Sequence, residues 1–307
     1  MRFGFALPQV GSLAGPEALI TAATRAEALG YDTLWVLDRI LWPLSPRAPY
    51  PIGDGSLPAQ YKKVLDPVET LTFAAAHTSR IALATGVLNL PWYNPVLLAR
   101  RLTTLDILSR GRLRVGFGIG WSPDEYEAAG VPWEERGKRA DEAINVLKKI
   151  WATDPVEFQG KYYRIPKSFI GPKPLQKPHP PVYMAAFVPS ALKRVAAEAD
   201  GWFPVGIPLG DVGPLFEQIK EMAKAAGRES SALELIVAGG VEVHKTPIEK
   251  DRIEFTGTRE QIAGDFERAR KLGAAEIVIY AQFLPESATV DDLVARMEDI
   301  WSIAKQA

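Results

Sequence analysis

Residues 81–121 read IALATGVLNLPWYNPVLLARRLTTLDILSRGRLRVGFGIGW, and the order of apolar and breaking residues within them decides the fold. Residues 81–88 are almost continuously apolar, interrupted only by Thr85-Gly86, as suits a parallel strand buried on both faces. Asn94 is placed to cap a helix whose first position is Pro95, where a missing N–H costs nothing. Leu98, Leu102, Leu105 and Leu108 then form one stripe, and Gly111 is suited to the helix end. A second apolar run, 113–119, leads into Gly116, Gly118, Gly120 and Trp121. This is one βαβ unit with glycine, asparagine and tryptophan gathered at its strand ends.

Outward from this unit the same alternation repeats. Strand-like runs at 3–7, 33–37, 81–88, 113–119, 182–186, 201–205, 233–237 and 276–280 alternate with amphipathic helical stretches. Asp66-Pro67-x-Glu69 and Thr258-x-x-Gln261 read as helix starts. Eight β-then-α units predict an α/β fold, a (β/α)8 TIM barrel with insertions after strands two, four and seven, in one domain spanning 1–307. A doubly wound open sheet is the alternative. The segment 40–65, carrying Pro43, Pro46, Pro49, Pro51 and Pro58, reads as a lid over the second strand's end. Residues 155–166 read as a small hairpin.

Composition narrows the function classes. A formal net charge of −1 gives no footprint for nucleic acid or an anionic membrane surface. The absence of cysteine removes disulfides, thiolate nucleophiles and Cys-type zinc sites. No run approaches membrane-spanning length, and a cytoplasmic protein is expected.

In such a barrel the site lies at the C-terminal ends of the strands. That selects Asp38-Arg39, residues 86–92, residues 118–124 and residues 185–188. It demotes His179, which precedes its strand, and His77, at a helix C-terminus, while His244 near the seventh strand's end stays possible. No metal is expected from three scattered histidines. Gly116-x-Gly118-x-x-Trp121 lacks the third glycine of a dinucleotide fingerprint, and no phosphate loop, nucleophile elbow or carboxylate pair of glycosidase type is present. A site so short of acids, bases and nucleophiles suits a bound cofactor that carries the chemistry.

Several stretches occur together in one order: Asp38 after Leu-Trp-Val-Leu, Thr85-Gly86-Val87-Leu88, Asn94-Pro95 with Leu-Ser-Arg-Gly-Arg at 108–112, Gly118-Ile-Gly120-Trp121 with Glu125, Pro180-Pro181-Val182-Tyr183, and Asp200-Gly201-Trp202. In these the chain resembles the luciferase-like monooxygenase superfamily, in particular its branch dependent on the deazaflavin coenzyme F420. The resemblance implies a TIM barrel that transfers a hydride between the deazaflavin C5 and a small organic substrate. Asp38 would lie beside the ring as an end-of-strand carboxylate facing solvent. Gly86-Val87 would form a bulge behind the ring, commonly with a non-prolyl cis peptide. Asn89 would bond the ring's polar edge, and Asp124 with the backbone of Ala185, Ala186, Phe187 and Val188 would address the ribityl and phosphate portion.

Arg39 stands where deazaflavin relatives often carry histidine. Being permanently protonated it cannot act as a base, and its expected role is to orient the substrate. Phe187-Val188 replace paired glycines, and Trp121 falls where some relatives carry an acidic proton donor. Trp42, Trp92, Trp121 and Tyr93 are the expected apolar substrate wall. The alternative activities are an FMN-dependent monooxygenase using reduced flavin and oxygen, or a flavin-binding barrel without turnover. The resemblance also implies a homodimer.

Overall fold

The computed structural model describes residues 1–306. Eight strands make one sheet: β1 (Arg2–Ala6), β2 (Thr33–Val36), β3 (Ala82–Thr85), β4 (Leu113–Gly118), β5 (Val182–Met184), β6 (Gly201–Trp202), β7 (Glu234–Gly240) and β8 (Ala274–Tyr280). Each pairs in parallel with the next, and β8 returns to β1 through pairs such as Phe3 with Ile277. Because Leu83 of β3 pairs with Leu113 of β4, no edge is left, and the open-sheet alternative falls. The helices are α1 (Pro16–Leu29), α2 (Pro67–His77), α3 (Pro95–Leu108), α4 (Pro123–Ala128), α5 (Arg136–Ala152), α6 (Pro189–Glu198), α7 (Leu209–Ala225), α8 (Arg259–Lys271) and α9 (Val290–Ala304). Between α5 and β5 the expected hairpin forms from Val156–Gln159 and Arg164–Ser168. Among the described residues no helix is long and apolar enough to cross a membrane.

Local chemistry sets the helix starts. The Asp66 carboxylate accepts from the N–H groups of Val68 and Glu69, and Asn94 accepts from Val96 and Leu97. Thr258 and Gln261 form the reciprocal capping box. Helix α3 ends through Arg110 and Gly111, both with positive φ, and Gly111 N–H reaches Asp106 O at 2.7 Å. Arg112 then spends its guanidinium on carbonyls of Ala75, Thr78, Ile81 and Ser109 and on the Thr78 hydroxyl. Its charge thereby closes the C-terminus of α2.

Inside the barrel Trp35, Ala84, Tyr183, Phe203, Ile236 and Val278 pack together. Below them, at the strands' N-terminal ends, a charged floor seals the axis. Trp35 Nε1–H donates to Glu276 Oε1 at 2.7 Å, Arg2 and Arg114 pair with Glu276 at 3.1 and 2.7 Å, and Tyr183 donates to Glu234 at 2.6 Å. Two apolar runs make shorter strands than their sequence suggests. The 201–205 run pairs only at Gly201 and Trp202. The 81–88 run breaks at Gly86-Val87 and resumes as Leu88–Asn89 alongside Phe117 and Gly118.

Candidate active site

The break in β3 builds the centre of the barrel mouth. Thr85 still pairs with Val36, whereas Leu88 pairs with Phe117, so residues 86 and 87 are extruded as a bulge. Thr85 fixes its base, its hydroxyl donating to Gly116 O at 3.0 Å and accepting from Gly116 N–H at 2.8 Å. The β4 glycines make room. A Cβ on Gly116 would lie 2.2 Å from Thr85 O, and one on Gly118 would lie 2.3 Å from Val87 Cγ1. The glycine run that could pass for part of a nucleotide fingerprint is therefore a track for the bulge. The Gly86–Val87 peptide is trans, contrary to expectation; the cis bonds are Asp154–Pro155, Gly171–Pro172 and Lys177–Pro178. The slip in register and the missing β4 side chains produce the bulge without it.

Asp38 sits just past β2 and is buried, 5% exposed, rather than facing solvent. Its Oδ2 accepts from Asn89 N–H at 2.9 Å and the Tyr93 hydroxyl at 3.0 Å, and Asn89 Nδ2 donates to Asp38 O at 3.3 Å. Among the described residues Oδ1 has no hydrogen-bond partner. Burial pushes the carboxyl up to about 6, against the pull of the Asn89 and Tyr93 donors.

Arg39 is tied into a buried ion pair. Its guanidinium lies 3.1 Å from Glu125, with 7% of the side chain exposed, and its carbon sits 4.8 Å from the Trp121 ring centre and 5.4 Å from that of Tyr61. Glu125 is fully buried and also accepts from Ile40 N–H at 3.0 Å. Burial raises its carboxyl to about 7, opposed chiefly by the Arg39 charge. Tyr50 reaches Tyr61 at 3.2 Å and packs edge-on to Trp121. The lid thus closes over α4 through the Ile40–Glu125 hydrogen bond and the aromatic contacts of Tyr50, beside the buried Arg39–Glu125 pair.

The model of the luciferase-like monooxygenase family matches residues 1–280. The chain belongs to that family. It is 34% identical over 259 residues to an uncharacterised protein of Mycobacterium tuberculosis, covering 83% of this chain and 90% of that one. The F420-dependent glucose-6-phosphate dehydrogenase of Amycolatopsis mediterranei is 32% identical over 219 residues, 69% of this chain and 61% of its own length. The FMNH2-dependent dimethylsulfone monooxygenase of Pseudomonas putida is 33% identical over 155 residues, 50% and 42%. Among solved structures, the monooxygenase RslO1 from Streptomyces bottropensis superimposes with a TM-score of 0.82 at 22% identity, covering 100% of this chain and 99% of that chain. F420- and FMN-dependent enzymes are thus both among its relatives, and this luciferase-like chain is an enzyme of that kind.

In the luciferase-like barrel, Asp38, Asn89, Gly86 and Val87 meet at the mouth, with Trp121 above Arg39. Trp92 lies edge-on to Tyr126, and Trp42 lies under Lys62. Asp124 instead accepts from Arg47 of the lid, through its N–H at 3.1 Å and Nε at 3.0 Å. At the end of β5, Ala185 N–H is taken by Phe117 O. Among the described residues the N–H groups of Ala186, Phe187 and Val188 have no acceptor. The Phe187 and Val188 side chains are 58% and 52% exposed. Trp42 Nε1, Trp92 Nε1, Ser122 Oγ and Gln282 Oε1 are buried without a hydrogen-bond partner, in the segments that follow β2, β3, β4 and β8 at this end. Unanswered buried polar atoms at the mouth of the barrel fit a polar ligand. His77 bonds Phe73 O, His179 bonds Pro180 O, and His244 lies 3.6 Å from Glu242. Sequence reasoning missed the Tyr50–Tyr61 pair and Gln9, and it took Tyr93 as apolar wall where its hydroxyl donates to Asp38. No local pattern marks the tyrosines as partners of residues so distant in the chain.

Proposed function

We propose that the protein is an F420-dependent oxidoreductase that moves a hydride between the deazaflavin and a small organic substrate. The observation that carries this reading is the composition of the mouth. It holds a bulge floor, a buried carboxyl with one free oxygen and three backbone N–H groups without acceptors, but no nucleophile or relay of its own. A deazaflavin supplies hydride-pair chemistry, whereas reduced FMN supplies oxygen activation. Gly86-Val87 would form the floor beneath the ring. Asp38 and Asn89 would face its polar edge, and Ala186–Val188 N–H groups would hold the tail, with Ala185 already engaged. Asp124 would join only when the lid's Arg47 releases it, and Arg39 only when Glu125 of α4 releases it. Trp42, Trp92 and Trp121 would exclude water from the substrate side.

The similarity to an F420-dependent dehydrogenase extends over more of the chain than that to the FMNH2-dependent monooxygenase, which supports the deazaflavin over the flavin. The monooxygenase similarity is the observation that favours FMN as the second reading. Titration with oxidised F420 and separately with FMN, followed by fluorescence, tests the choice. The expected result is saturable F420 binding with preference over FMN, and hydride exchange with alcohols, imines or activated alkenes without oxygen uptake. Preference for FMN with substrate-dependent oxygen uptake would overturn it. The family resemblance further suggests a homodimer, checked by sedimentation; a monomer at micromolar concentration would refute that.

A further inference from the structure

Gln9, just beyond β1, is 1% exposed and uses its side-chain amide where backbone pairing stops. Leu7 N–H still reaches Trp35 O at 2.8 Å, but Gln9 N–H, the next donor on that edge, turns back to Leu7 O at 2.8 Å, and the backbone ladder to β2 stops. The Gln9 side chain supplies the next step. Its Oε1 accepts from Leu37 N–H at 2.5 Å, and its Nε2 donates to Leu37 O at 3.0 Å. The second Nε2 hydrogen goes to Leu65 O at 2.8 Å. The Gln9 carbonyl accepts from Leu65 N–H at 2.9 Å, and Val10 bridges Val64. Leu37 is the residue before Asp38, and Leu65 is the residue at which the lid returns to the barrel.

We propose that Gln9 is a positioning residue: its amide fixes the Leu37 peptide, and with it the placing of Asp38, while tying the returning end of the lid to the same point. The proposal rests on the reading of Asp38 as the carboxyl that faces the cofactor. It requires an amide, because one acceptor and two donors must leave the same side-chain end. An ionised carboxylate there would set oxygen against two carbonyl oxygens. A protonated one can still accept from Leu37 N–H and give its single proton to Leu65 O, restoring the tie to the lid. The charged and titratable groups around Asp38 are Arg39, Tyr93, Asp66 and Glu125, and Gln9 itself adds no charge.

The test needs no cofactor. The Asp38 carboxyl is titrated by carbon NMR in the wild type, Gln9→Ala and Gln9→Glu, with Asp38→Asn assigning the signal. Tryptic cleavage of the lid at Lys62 and Lys63 is timed in parallel. In Gln9→Ala, water reaches a loosened Asp38, so its midpoint falls from about 6 toward the ordinary 3.8, by about one pH unit or more. Lid cleavage becomes about tenfold faster or more. In Gln9→Glu, lid protection is like wild type at acid pH and is lost as the new carboxyl ionises. A role in packing alone would not produce that pH-dependent rescue. A wild-type midpoint and cleavage rate in Gln9→Ala would overturn the proposal, as would pH-independent lid protection in Gln9→Glu. Should Gln9→Ala fail to fold, the Gln9→Glu comparison decides. F420 titration of the same proteins separates the two claims. A wild type that binds no F420 while Gln9→Ala shifts Asp38 refutes the cofactor reading and leaves the clamp standing.

Discussion

Replacing Asp38 by asparagine is predicted to stabilise the protein above neutral pH. Asp38 is 5% exposed and titrates at about 6 rather than at the ordinary 3.8. Its native form therefore holds a proton that the unfolded chain has already released across that window. Stability contributed by this group is full below pH 3.8 and is lost as pH rises toward 6. At about 1.4 kcal/mol per pH unit the loss is about 3 kcal/mol, constant at higher pH. Asparagine never ionises, and its oxygen can still accept from Asn89 N–H and the Tyr93 hydroxyl. Guanidinium unfolding of both proteins from pH 4 to pH 8 measures the effect. The curves should meet near pH 4, and the variant should be more stable by about 3 kcal/mol at pH 8. A constant difference across pH, or a variant less stable at pH 8, would refute the reasoning. A carboxylate kept at such a cost marks a functional position.

Tyr93→Phe removes one donor to the Asp38 carboxylate, so the Asp38 midpoint should rise above about 6; an NMR titration with an unchanged or lower midpoint counts against it. Arg39→Ala leaves Glu125 buried without its cation. It should cost about 3–5 kcal/mol at pH 8, and much less at pH 5, where Glu125 is already protonated; a pH-independent loss in denaturant unfolding would contradict this. Gly118→Ala drives a Cβ against Val87 Cγ1 and should destabilise by about 1–3 kcal/mol. Adding Val87→Ala should recover part of that loss in a double-mutant cycle, and strict additivity would show that the clash is not the cause.

The barrel was legible because its signals are local. Apolar runs of strand length, Asp66-Pro67, Asn94-Pro95 and the Thr258–Gln261 box each act within a few residues of themselves. The positions of Asp38 and Gly86 at strand ends were legible for the same reason. The chemistry around them was not. Burial of Asp38 depends on Tyr93 and Asn89, more than fifty residues onward. Arg39, taken as a free cation for substrate, is spent on Glu125 of α4. Asp124 is engaged by Arg47 of the lid. The glycine track made sense only once the bulge was seen lying against Gly116 and Gly118. Pairings of this kind are set by strand register and side-chain direction, which a single sequence does not display.

The central claim is that the mouth around Asp38 holds a deazaflavin, and calorimetric titration of F420 into the wild type and Asp38→Asn at pH 8 tests it most directly. Saturable wild-type binding, weakened about tenfold or more in the asparagine variant, is the predicted result. Because that variant is expected to be the more stable protein, lost affinity could not be ascribed to unfolding. Equal affinity in both proteins, or tighter binding of FMN than of F420 by the wild type, would contradict the account.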